Sequence, residues 1–114
     1  MGFSLIQETE DYSQVALDGR LDAVGVEALE SDFMAHISAH RKHCLIDFSK
    51  VTFIASMGIR MLIRTAQTLQ LAGVKLVLIN PQPLVVNALE IAGVNRLLLI
   101  APDSMQAIAL LAND

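Results

Sequence analysis

Val51-Thr52-Phe53-Ile54-Ala55-Ser56-Met57-Gly58-Ile59-Arg60 is the stretch on which the fold turns, because one backbone habit ends inside it and another begins. Up to Ile54 the β-branched and aromatic residues favour extended backbone. From Ile59 the apolar positions become Ile59, Leu62, Ile63, Ala66 and Leu69, the spacing of one helix face. Ser56 falls at the changeover, where a Ser side chain accepts from the free N–H groups of a first helical turn, so it is expected as the N-cap. Gly58 carries no side chain to shield that hydroxyl. The helix is expected to run from Ser56 to Ala72, with Gly73 as its C-terminal glycine.

Upstream, Phe3–Gln7 and Tyr12–Leu17 flank the polar turn Glu8-Thr9-Glu10-Asp11 and read as a hairpin. Asp18-Gly19-Arg20-Leu21-Asp22 is expected to break the second strand, Gly19 allowing a positive-φ bend. A helix over Val24–Ala39 follows, with Val26, Leu29, Phe33 and Ile37 on its apolar face. His43–Phe48 is a short apolar run suited to a strand buried on both faces. Downstream, a strand at Lys75–Ile79 precedes a helix over Leu84–Ala92, expected to bury Leu84, Val85, Ala88, Leu89 and Ala92, with Gly93 ending it. Leu97–Ile100 gives the last strand. Pro102-Asp103-Ser104 opens a final helix whose apolar side is expected to be Met105, Ile108, Ala109, Leu111 and Ala112.

The order is therefore β-β-α-β-α-β-α-β-α, an α/β fold over residues 1–114. The crossovers make the sheet mixed and mostly parallel, of about five strands with about four helices and an N-terminal hairpin at one edge. A chain of 114 residues holds one core, and with 54% hydrophobic and 4% aromatic residues that core is aliphatic.

Composition narrows the function. A formal charge of −4 with no Lys/Arg cluster argues against nucleic acid as a partner. The single Cys44 cannot close an internal disulfide and reads as a buried, inert thiol in a reducing compartment. Without a basic-then-apolar start or a run long enough to span a bilayer, a soluble, cytoplasmic protein away from the membrane is expected. Enzyme signatures are missing. Ile54 stands where a G-x-S-x-G elbow needs glycine, and no phosphate-binding glycine loop occurs. His36 and His40 are four apart but lack a third ligand, so no metal and no cofactor are expected. Asp18, Asp22 and Asp47 fall near expected strand ends, where Asp more often satisfies local backbone donors than works as an acid or base.

Ser56 invites a different chemistry. A phosphate there would lie at the positive end of a helix dipole, with Arg60 four residues on and Arg64 eight. Met57 and Met61 form a flanking stripe of the flexible kind that suits a protein-binding face. The plainer alternative is that Ser56 caps the helix and nothing more.

Asp47–Arg60 resembles the signature of the STAS domain, in which a strand and a short link lead to Asp-Ser-Ser/Thr-Gly opening a helix. Leu17-Asp18-Gly19-Arg20-Leu21-Asp22 is similar to an earlier Leu-x-Gly-x-Leu-Asp segment of that family, and Asn80–Val94 to its later strand, helix and glycine. The likeness implies an anti-sigma-factor antagonist, not an enzyme. Its unphosphorylated form would bind an anti-sigma factor of the GHKL serine-kinase type and free a sigma factor. Phosphorylation of Ser56 would end the binding, and a PPM-type phosphatase would reset it. The implied partner-binding residues are Asp22, Ala55, Ser56, Met57, Gly58, Ile59, Arg60 and Met61, on a monomer or weak homodimer. Ala55 and Met57 depart from the family's Asp and Ser/Thr. That departure keeps open a constitutive adaptor or scaffold within a larger signalling or transport complex. A small-ligand site near Asp22, Asp47 and Ser56 is a third reading.

Overall fold

The computed structural model describes residues 2–112. Strands β1 (Gly2–Glu8) and β2 (Tyr12–Leu21) form the expected hairpin, and helix α1 (Ala23–His40) leads to β3 (His43–Ile54). Helix α2 (Ser56–Leu71), β4 (Leu76–Ile79) and α3 (Pro83–Ile91) follow, then a 3-10 turn (Val94–Arg96), β5 (Leu99–Ala101) and α4 (Ser104–Leu111). The sheet has the order β1-β2-β3-β4-β5. β1 is antiparallel to β2, and every other pairing is parallel.

Alternation along the inner strands divides the core into two layers. Val15, Leu17, Cys44, Ile46, Phe48, Leu76 and Leu78 face one way, into a cluster with Leu29 and Phe33 of α1, Leu62 and Leu69 of α2, and Val85 and Leu89 of α3. Leu45, Val77, Ile79 and Ala101 face the other way, against Ala107 of α4. Each fully buried aliphatic or Phe side chain contributes on the order of 1.5–3 kcal/mol.

The sequence expectations are corrected at several points. Leu17 does not end β2, which continues to Leu21. Gly19 has the expected positive φ of 91°, but it serves as an irregularity within the strand. The register with β3 shifts on both sides of it: Ala16 pairs with Asp47 and Asp18 with Lys50, then Gly19 with Val51 and Arg20 with Phe53. His43–Phe48 and Lys50–Ile54 are thus one strand, with Asp18 and Asp47 inside their strands and away from the ends. On α3, Leu84 is 73% exposed and Ala92 is exposed, since only Val85 and Leu89 of that helix are fully covered. On α4 the inward residue is Ala107, while Met105, Ile108, Ala109 and Ala112 face solvent. Leu110 and the expected Leu111 pack partly against the same smaller layer, so α4 covers it with Ala107 and the last turn.

Candidate functional site

The site forms where β2 and β3 end side by side. Leu21 pairs with Ile54, and the Ala55 N–H donates to the Leu21 oxygen at 3.0 Å, which places Asp22 beside the start of α2. Here the N-cap expectation fails. The N-cap is Ala55, extended at φ −120° and ψ −176°, and Ser56 is the first helical residue. No side chain caps α2. The Ser56 hydroxyl is exposed and engages no hydrogen bond among the described residues.

Around it the expected contact residues separate. Met57 and Arg60 are exposed, and an Arg60 guanidinium N–H points toward Met57 Sδ at 4.0 Å. Ala55 and Ile59 are half-buried, Ile59 packing on the main core. Met61 is 0% exposed and belongs to the core, so it cannot meet a partner. Gly58 is buried as well. A β-carbon on it would stand 2.7 Å from the Leu21 oxygen and 2.8 Å from Ile54 Cγ1, so its lack of a side chain serves the packing of α2 on β2 and β3 rather than display of the hydroxyl. Arg64 pairs with Glu30 of α1 at 2.7 Å, bracing the two helices.

Asp22 is near Ser56 as expected, but its carboxylate is already engaged. Oδ1 caps α1 by accepting the Gly25 N–H at 2.9 Å, and Oδ2 accepts from Arg20 Nε at 3.2 Å. The Gly25 N–H first, then Arg20, hold this carboxyl below its ordinary range. Asp47 is not part of the site. Its Oδ1 accepts from Ser49 N at 2.9 Å, and it lies seven residues before Ile54 in β3, roughly 20 Å away at strand rise. Asp22, Asp47 and Ser56 therefore do not converge on a ligand.

Two residues matter here that sequence reasoning passed over, Arg20 and Phe53. The Arg20 guanidinium carbon stands 4.2 Å from the Phe53 ring centroid. Phe53 faces outward because the register shift between Gly19 and Arg20 breaks the inward–outward alternation of β3. Phe53 also lines a groove with Ile54, Leu84, Asn87, Ala88 and Ile91.

Elsewhere, Cys44 is buried and its thiol is pushed up to about 12 by desolvation, the inert state expected. His36 and His40 stack at 4.2 Å, yet no cluster of three or more His, Cys, Asp or Glu among the described residues is arranged to hold a metal ion. No helix among the described residues is long and apolar enough to cross a membrane.

A five-stranded mixed sheet, a two-layered core and a serine-led helix at the end of the longest strand define a small α/β domain of one particular class. The chain belongs to the STAS domain family, whose model matches residues 4–107. Among solved structures it is similar to an anti-sigma-factor antagonist (STAS) domain protein from Planctomyces limnophilus, with 21% identity, a TM-score of 0.85 and coverage of 97% of this chain and 98% of that one. It is similar to the Bacillus cell fate determinant SpoIIAA in its phosphorylated form, with 21% identity, a TM-score of 0.70 and coverage of 95% and 97%. It also resembles part of the murine Solute Carrier 26 family member A9 anion transporter, with 22% identity and a TM-score of 0.79, covering 95% of this chain but 19% of that one. At these identities the likeness establishes the fold. No curated protein matches the chain in sequence.

Proposed function

We propose that this domain is a non-enzymatic protein-binding switch of the anti-sigma-factor antagonist type, controlled by phosphorylation of Ser56. The unphosphorylated form binds an anti-sigma factor of the GHKL serine-kinase type in the cytoplasm, the kinase modifies Ser56, and a PPM-type phosphatase restores it. The observation that carries this reading is the Ser56 hydroxyl: exposed, on the first residue of α2, and engaged in no hydrogen bond within the described chain. A phosphate there adds close to two negative charges beside Met57 without disturbing a buried contact. The added charge repels and resists desolvation at an interface, so affinity falls while the domain stays folded.

The adaptor reading draws on Ala55, whose methyl leaves the start of α2 uncapped and supplies no carboxylate next to the serine. One experiment separates the two. Protein isolated from its own cells is mapped for phosphate, and proteins retained by wild type are compared with those retained by Ser56→Asp. Phosphate on Ser56, and a serine kinase held only by the wild type, is the expected result. An unmodified Ser56 with identical retained proteins leaves the adaptor.

A further inference from the structure

Beside the start of α2, the Asp22 carboxylate is held within the chain. Asp22 caps α1 with one oxygen and fixes Arg20 with the other. Arg20, with 57% of its side chain exposed, holds its guanidinium carbon 4.2 Å from the Phe53 ring centroid, and Phe53 lines a groove with Leu84, Ala88 and Ile91 of α3. Leu84 and Ile91 are 73% and 80% exposed, an unusual investment of large aliphatic surface on one short helix. The second exposed cation near the serine, Arg60, pairs with no carboxylate among the described residues. An apolar trough thus shares Phe53 with a fixed cation, and a second cation stands on the first turns of α2, in a chain whose overall charge is −4.

We propose that the groove between Phe53 and α3, with Arg20 beside Phe53, takes an amphipathic acidic segment of the protein partner. An aliphatic or aromatic side chain seats between Phe53 and Ile91, and an adjacent Asp or Glu meets Arg20. Charge complementarity selects this occupant: Asp22 engages only Arg20 Nε, so the exposed guanidinium keeps further donors for a second carboxylate and is already held in place before it arrives. Asp22 acts as a positioning residue for Arg20. The proposal rests on the reading of Ser56 as the switch and adds to it. A phosphoserine at the start of α2 repels an acidic partner and offers Arg20 and Arg60 a competing anion.

The test is selection of an unbiased displayed library of random 16-residue peptides on immobilised wild-type domain, followed by affinity measurement of the enriched peptides. Enrichment of an apolar residue next to Asp or Glu is expected, with affinity falling at least tenfold on Arg20→Glu and on Ile91→Glu. Both side chains are exposed, and unchanged melting temperatures verify that the variants fold. Enrichment of basic peptides, of nothing, or of peptides indifferent to both variants overturns the proposal. So does binding of phosphatidylserine vesicles that is lost in Arg20→Glu while no peptide is enriched, which would make the patch a lipid contact. Acidic peptides held equally by wild type and Ser56→Asp, but lost from Arg20→Glu, keep the groove and sink only the switch. Peptides lost from Ser56→Asp but indifferent to Arg20→Glu and Ile91→Glu sink the groove and keep the switch.

Discussion

Gly58 sits so close to Leu21 that a β-carbon on it would lie 2.7 Å from the Leu21 oxygen and 2.8 Å from the Leu21 β-carbon. The first atom is backbone, fixed by its bond to the Ala55 N–H, so it cannot swing aside. Gly58→Ala gains up to about 1 kcal/mol of helix propensity but overpacks the joint by about 1–3 kcal/mol. A net loss of about 1 kcal/mol is expected in chemical denaturation, where an ordinary exposed helical Gly→Ala change would stabilise. A gain in stability would show that α2 can slide off β2.

Met57 and Met61 are four residues apart on α2 and separate cleanly in role. Met61 is fully buried, and Met61→Ala should cost about 2–5 kcal/mol. Met57 is 39% exposed, and Met57→Ala should alter stability by no more than about 0.5 kcal/mol while weakening retention of the wild-type partner. Equal losses of stability in the two variants would contradict this division.

That division also shows where sequence stopped informing. Periodicity locates α2 because Leu62, Ala66 and Leu69 repeat every three or four residues against the core. It places Met57 and Met61 on one stripe, but cannot say that the stripe enters the core after one turn. The face of α1 was legible throughout, since Val26, Leu29, Phe33 and Ile37 are its buried side chains. Its bounds were legible to within one residue, although the cap itself was not: Arg41 closes the helix in the left-handed region at φ 47°, where a glycine would have been the visible signal. The start of β2 was equally plain from its alternation. The outward turn of Phe53 was hidden, because it depends on how β2 and β3 slip past each other at Gly19. Arg20 is part of the site only through that slip. The place of Ser56 at the start of α2 was therefore readable, and the side chains around it were not.

Ala55 offers a second check on local geometry. It is an extended N-cap with no side-chain acceptor for the first-turn N–H groups of α2. Aspartate, the residue that STAS resemblance would place here, satisfies such donors and favours the helix dipole. Ala55→Asp should therefore stabilise the domain by about 0.5–2 kcal/mol at neutral pH, an advantage that fades as the new carboxylate is protonated. A destabilised variant would mean that Ala55 packs more tightly than its half-buried position suggests.

The hairpin is clasped to the end of α1 by groups that titrate. His36 Nε2 is 2.6 Å from Ser13 Oγ, and its ring stacks on His40 and tilts against Phe3. Glu8 reaches back to Lys42 at 2.8 Å and to His40 at 3.4 Å. Burial, then the neighbouring His40, lowers the His36 pKa, Glu8 opposing and Lys42 adding slightly. His43 is lowered too, by burial and then Lys75, with Asp11 opposing. A histidine depressed in the folded state binds its proton more readily in the unfolded chain. Stability is therefore full above the ordinary histidine value near 6.5 and is lost as pH falls below it, down to the folded pKa. The depressed carboxyls Glu8 and Asp22 contribute in the opposite pH range: their stabilisation is present above 4.5 and 3.8 and disappears only in stronger acid. Between pH 7.5 and about 5.5 the histidines act without them. Melting temperature should decline across that interval, and His36→Gln, which retains a partner for Ser13, should remove part of the decline and leave the part due to His43. A wild-type profile that is flat from pH 7.5 to about 5.5, or one that His36→Gln does not change, would mean that the clasp absorbs the charge by reversing the Ser13 hydrogen bond.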